Sequence, residues 1–329
     1  MASSANTFLS TTAKLNREDL SNIVDLTQRS DTPIYSMIGN ETADATFTEW
    51  GVEALDVPGD NIQSEARDYT FTDIDADLRY GNYTQIMEKN GKFSATQESV
   101  DNAGNSEKDA RAKVKKGLAL RTDVEFSLVT DNASVGGADR VSGSLSTWAE
   151  TNVSRGATGA NGGYDDGTKL TVAPTDGDQR AFTKALLDDL LQSAYSSGAK
   201  LKHMFLSPYA KSVFATFMSD SNVAQFRYAA KNGSNTIVAD AEIYLGPLGT
   251  VYAHPNFVMG SAAAQARNVI VLDTTKVKWS WLRKIAEDKD LAKTGDYKKF
   301  VIQGEGCVCV KNEKGVGIIA DIFGMSATT

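Results

Sequence analysis

Cysteine is almost missing from this chain: Cys307 and Cys309 are the only two in 329 residues. That rules out a disulfide framework and a four-cysteine zinc site, and it suits synthesis in a reducing cytoplasm. Long apolar runs are missing too. None approaches the roughly 20 residues that a bilayer-crossing helix needs, and residues 1–19 lack the apolar core of a secretory signal, so no membrane association is expected. Surplus positive charge is a third absence. The 34 bases face 42 acids for a net charge of −8, and no basic stripe of the kind that grips nucleic acid is present. A vessel that merely encloses nucleic acid stays open, because a container must not hold its contents tightly. Proline is low at 6 against 27 glycines, which favours turns and extended loops over rigid linkers. What the chain does have is 41% hydrophobic residues, enough for a sizeable core and two subdomains.

Catalytic signatures are also lacking. There is no Gly-x-Ser-x-Gly elbow, no His-Glu-x-x-His and no Walker loop. The two histidines, His203 and His254, fall at strand ends with no ligand spacing between them and read as structural. Cys307 and Cys309 alternate on one strand face, badly aimed for an intrachain bridge; they read as small buried hydrophobes, with a cross-subunit disulfide as the other option. Asp73, Asp75 and Asp77 alternate, but the glycine and distal glutamate of a calcium loop are missing, so they read as a solvated acidic face. The glycine-rich run from Gly156 to Gly163 superficially looks like a phosphate loop, yet no Gly-Lys-Ser/Thr ending or preceding apolar strand supports it. Trp279 and Trp281 read as core or interface rather than a base-stacking platform. No catalytic, cofactor-binding or metal-binding residue is expected, and no enzyme.

The dominant element is a predicted helix over 105–131. Ser106 is its expected cap, Glu107 and Asp109 suit its positive end, and Glu107–Arg111 and Asp109–Lys113 are favourable i,i+4 pairs. Ala110, Val114, Leu118, Val124 and Leu128 form its expected apolar stripe, while Lys108, Arg111, Lys115, Lys116 and Glu125 are expected in solvent. Before it, residues 1–16 read as an arm and 17–28 as a short amphipathic helix that Asp31-Thr32-Pro33 stops, with Gly39-Asn40 as a turn. Residues 46–88 alternate like two long strands around an acidic, turn-rich centre. Only Arg67 and Arg79 oppose the acids there, and lysine is absent. Such a ribbon is marginal alone and calls for a partner surface.

After the long helix, 132–177 reads as an irregular, functional or disordered excursion. A helix over 178–197, a strand over 202–206, a helix capped by Ser207-Pro208, and a hairpin over 242–254 then form an α+β block, followed by strands over 268–272 and 276–282. A long strand over 298–311 turns through 312–315 into 316–323. Gly304 and Gly306 thin one face of it, as if another backbone packs closely there.

This order of elements, with the wording Asn16-Arg17-Glu18-Asp19-Leu20, Asp31-Thr32-Pro33-Ile34-Tyr35-Ser36-Met37-Ile38-Gly39, Thr48-Glu49-Trp50 and Leu291-Ala292-Lys293-Thr294-Gly295-Asp296, resembles the major capsid protein of tailed bacteriophages, the Hong Kong 97-type fold. The resemblance covers most of the chain and is weak across 132–177, which reads as a lineage-specific insertion. It implies an α+β fold divided as an N-terminal arm (1–45), an extended loop (46–88), a peripheral domain with spine helix and Gly-rich insertion (89–177), an axial domain (178–275), and a return through the long strands of the peripheral domain (276–329). The implied function is a structural head protein that self-assembles as pentamers and hexamers into an icosahedral shell around phage double-stranded DNA, without specific binding to it. Scaffold, portal and decoration proteins are implied partners, and the virion, assembled in host cytoplasm, is the implied location. Some relatives carry a cleaved scaffolding segment; the arm here starts close to Met1, so a separate scaffold or none is expected. Others cross-link through an extended-loop lysine, which 46–88 does not contain. An encapsulin-like cellular compartment and a carbohydrate- or surface-binding α+β protein are the competing readings.

Overall fold

The computed structural model describes residues 29–53, 55, 58–69, 71, 78–100, 108–217 and 242–326. The arm over 1–16, the helix over 17–28, Ser106 and the aspartates of 72–77 lie outside the described residues. The chain begins with α1 (Pro33–Met37), β1 (Gly39–Thr42), β2 (Phe47–Val52), β3 (Leu78–Tyr83), β4 (Gln85–Ser94), α2 (Ala95–Ser99) and the long α3 (Lys108–Val129). It continues through α4 (Leu145–Trp148), β5 (Val153–Ser154), β6 (Gly163–Asp165), β7 (Leu170–Val172), α5 (Lys184–Ser196), β8 (His203–Leu206) and α6 (Pro208–Thr216). The remainder is β9 (Ile243–Gly246), β10 (Gly249–Pro255), α7 (Ala263–Ala266), β11 (Val269–Leu272), β12 (Val277–Glu287), β13 (Tyr297–Val310) and β14 (Val316–Ile319).

Two sheets organise these elements. One has the order β1-β12-β13-β4, the other β5-β14-β11-β8-β10-β9. A central cluster joins them, with Trp148, Trp279, Trp281, Leu128, Phe205 and Ile318 among its buried members. A second cluster packs α5 and α6 on the six-stranded sheet, and a third sets Leu120 of α3 against Phe300 and Ile302 of β13. The continuous apolar runs of β11 and β14 are buried throughout, as strands covered on both faces must be.

Several expectations are corrected. Leu120, Val124 and Leu128, at four-residue steps, form the buried stripe of α3, whereas Val114 is 63% exposed, Ala110 is exposed and Leu118 only half-buried. Leu118 lies two residues, about 200° of helix rotation, from Leu120 and so cannot share its face. Glu125, expected in solvent, is fully buried. Gly39-Asn40 is not a turn but opens β1, parallel to β12, and Pro33 starts α1. Residues 178–183 are not helical. Arg180 bridges Ile322 in the parallel sense, so the chain stays extended until Thr183 caps α5. The return strand β14 does not run beside β13. The short 3₁₀ turn at Glu313–Gly315 sends it into the six-stranded sheet between β11 and β5. A side chain at Gly306 would fall 2.7 Å from both the Ser280 carbonyl and the Trp279 indole nitrogen, the close approach that the glycine pattern implied.

Candidate assembly surfaces

The residues that could have carried chemistry are accounted for by packing. His203 and His254 sit on the neighbouring parallel strands β8 and β10, with Nδ1 and Nε2 3.2 Å apart. Burial holds both rings below the usual histidine range, and His203 adds to the effect on His254. The Sγ atoms of Cys307 and Cys309 are 4.0 Å apart, both cysteines are free and buried, and Ser280 Oγ lies 3.2 Å from Cys309. Trp279 and Trp281 are core residues in edge contact. In the glycine-rich run, the Gly156 amide donates to the Asp321 carboxylate at 2.9 Å, and the Gly177 amide does the same. That amide therefore serves the fold and not a phosphate. Among the described residues no group of three or more His, Cys, Asp or Glu is placed to hold a metal ion, and no described helix is long and apolar enough to cross a membrane.

What stands out instead is a projecting ribbon. β2 and β3 pair antiparallel from Phe47–Tyr83 at the root to Val52–Leu78 at the far end. In the segment between them Leu55 is 96% exposed, Ile62 85% and Phe71 92%. Glu53, Asp60, Glu65 and Asp68 are exposed alongside them. Burying each such apolar side chain is worth about 1.5–3 kcal/mol, and the described body of the same protomer does not supply that burial. The combination of acid and large apolar side chains on an unsupported ribbon defines one half of an interface.

The root of the ribbon is fixed to the body. Trp50 and Tyr80, register partners on β2 and β3, meet Trp148 of α4 at 5.4 and 6.1 Å between ring centroids. Tyr164 of β6 lies flat on Trp148 at 5.3 Å and edge-on to Tyr80 at 4.9 Å. Asn82, fully buried, donates through Nδ2 to the Val308 carbonyl at 2.7 Å and Ser142 Oγ at 3.1 Å, and accepts from the Gly143 amide at 2.9 Å. Where β3 passes into β4, Thr84 Oγ1 donates to Glu305 at 2.8 Å. Arg140 and Arg283 pair with the same carboxylate at 2.7 and 3.0 Å. Burial pushes the Glu305 carboxyl up, but these three donors outweigh it and hold the group below the usual glutamate range.

A second polar hub lies on α3. The Glu125 carboxylate accepts from the Ile34 and Tyr35 amides at 3.0 and 2.8 Å and from Asn256 Nδ2 at 2.6 Å. It thereby ties the first turn of α1, the long helix and the loop after β10 together. Burial pushes it up to about 6, against the lowering effect of those donors. Neither hub was found by sequence reasoning, because their partners lie tens to hundreds of residues away and leave no local pattern.

A body of two sheets crossed by one long helix, with a two-stranded ribbon projecting from it, is the Hong Kong 97-type fold of phage capsid proteins. The fold matches a solved structure from Mycobacterium phage Adephagia at a TM-score of 0.62 and 14% identity, covering 96% of this chain and 98% of that one. The capsid asymmetric unit of Cyanophage A-1(L) matches at 0.60 and 12%, covering 95% and 99%. An encapsulin from Synechococcus elongatus is a weaker match at 0.52 and 9%, covering 93% and 95%. The chain belongs to the SU10 major capsid protein family, whose model matches residues 5–323. It is also 23% identical to the major capsid protein of Escherichia phage Phieco32, over 93% of this chain and 94% of that one. It is therefore a structural capsid protein of the virion, and the shell it builds is made by self-assembly. The family role is structural and not enzymatic.

Proposed function

We propose that copies of this chain assemble as pentamers and hexamers into an icosahedral shell that encloses phage double-stranded DNA without binding it specifically. The observation that carries this reading is the ribbon, whose exposed Leu55, Ile62 and Phe71 lack cover from the described body and are flanked by acids. A neighbouring copy supplies that cover. Lys115 on the long helix is exposed and, with Lys116, offers cations for the acids of the ribbon. Lys113 is occupied within the protomer, by Asp109 at 3.1 Å and Glu287 at 2.7 Å. The division into arm, extended loop, peripheral and axial domains belongs to the same reading. So do assembly in the host cytoplasm and scaffold, portal and decoration proteins as partners.

Hydrogen exchange tests it. Amides of 53–71 are expected to be strongly protected in particles and weakly in the unassembled protein. Equal protection in both states would remove the intersubunit role of the ribbon.

A further inference from the structure

We infer that the segment 132–177 aims the extended ribbon: Tyr164, Trp148 and Arg140 are positioning residues that fix the direction in which β2 and β3 leave the body. The inference rests on the reading above in one respect, that direction matters because a neighbouring copy receives the ribbon.

Two strands joined to a body only through their chain ends would swing, since a lone two-stranded ribbon is marginally stable. Here both strands are gripped on one face. Trp50 and Tyr80 are directly opposite in register, so their rings project to the same side, and both meet the Trp148–Tyr164 stack. The two-way amide contact between Asn82 and Gly143 restrains rotation about the strand axis. Beyond it, Arg140 donates to the Thr84 carbonyl at 3.3 Å and to Glu305 at 2.7 Å, fixing the corner between β3 and β4. Opposite, a side chain at Gly136 would fall 2.8 Å from the Tyr83 ring, so the absence of one lets the segment close on the root. Tyr80, Asn82 and Thr84 follow at two-residue steps along one face of the strand, and Trp50 extends the contact across to β2. The aromatic, amide and charged contacts thus hold the root continuously up to the corner with β4. Most of these grips come from 132–177, and none involves the far end of the ribbon. The segment is thus a cradle for the root of the ribbon and not a decoration on the surface.

A role in stability alone would lower the unfolding temperature without moving the ribbon. Cys307 and Cys309 are buried, so nitroxide labels at Leu78→Cys, on the exposed far end of β3, and Lys284→Cys, on the surface of β12, report the ribbon-to-body distance. The measurement is electron–electron double resonance on the unassembled full-length protein. One narrow distance distribution is expected in the labelled parent. It should be at least twofold broader with Arg140→Met or Tyr164→Ala, and narrow again with Tyr164→Phe, which keeps the ring; the first two should also yield malformed particles or none. Arg140→Met is the milder change and carries the test if Tyr164→Ala does not fold. A broad distribution in the parent, or an unchanged width in Arg140→Met, overturns the aiming role. Broadening with normal particles upholds that role and overturns the reading that a neighbouring copy receives the ribbon.

Discussion

Two buried carboxylates give this protein opposite responses to acid. Glu125 has its carboxyl raised from 4.5 to about 6, so the folded state holds its proton more tightly than the unfolded chain does. The resulting stabilisation is complete below pH 4.5 and gone above about 6, worth about 2 kcal/mol at most. Glu305 is held low, so its contribution is present above the unfolded value and is lost as pH falls through the folded one. Chemical denaturation of the unassembled protein should therefore show stability rising as pH drops from 6 to 4.5 and falling at lower pH. Glu125→Gln should flatten the first limb and Glu305→Gln the second. Glu125→Gln should in addition cost about 1–3 kcal/mol at neutral pH. Its one oxygen can still accept from Ile34 and Asn256, as Oε1 does, but its NH2 replaces the Oε2 that accepts from the Tyr35 amide and leaves that buried donor unmet. A profile unchanged by Glu125→Gln would remove the hub between α1, α3 and the loop after β10.

At the scale of single elements, the long helix is the sharpest case of what sequence does and does not reveal. Its existence and span were legible, since 22 residues without proline carry helix formers and ordered charge pairs. Its facing was not. Two registers of apolar residues compete in 108–129, and tertiary packing selects one: Leu120 meets Phe300 and Ile302, while Val124 and Leu128 enter the central cluster. Val124→Asp should therefore abolish folding or cost several kcal/mol, by placing an unpaired charge in the core. Leu118→Asp should cost clearly less, and Lys115→Ala should stay within about 0.5 kcal/mol. Thermal unfolding of the three variants in parallel checks the order; equal losses for the first two would mean that the buried face is wrong. Caps and hairpins were legible for the same local reason as the helix: Ser207 and Pro208 open α6 as expected, and β9 and β10 form the expected hairpin. The segment 132–177 was not, because beside Leu145, Trp148 and Ala149 it buries Ser134, Ser142, Ser144, Ser146, Thr147 and Thr171. Such residues read as solvated in sequence and are buried because each finds a hydrogen-bond partner, as Ser134 and Thr171 do in each other at 2.7 and 2.8 Å and Ser146 does in the Thr130 carbonyl.

For the whole molecule, net charge sets the relation to what the shell contains. A surplus of acid and the absence of a basic stripe leave little for counterion release. Unassembled protein should show no sequence-specific DNA binding, and any weak binding to random duplex should vanish by physiological salt. A salt titration showing tight binding retained there would mean that a basic surface assembles from separate segments. The route of the chain has a further consequence, for biosynthesis. Among the described residues β13 is the only sheet partner of β4, and β14 sits between β5 and β11 in the other sheet. Neither sheet is complete until β13 and β14 have been synthesised. A chain halted before β13 leaves β4 unjoined to β12 and β5 apart from β11, so translation itself sets the moment at which a subunit becomes available for assembly.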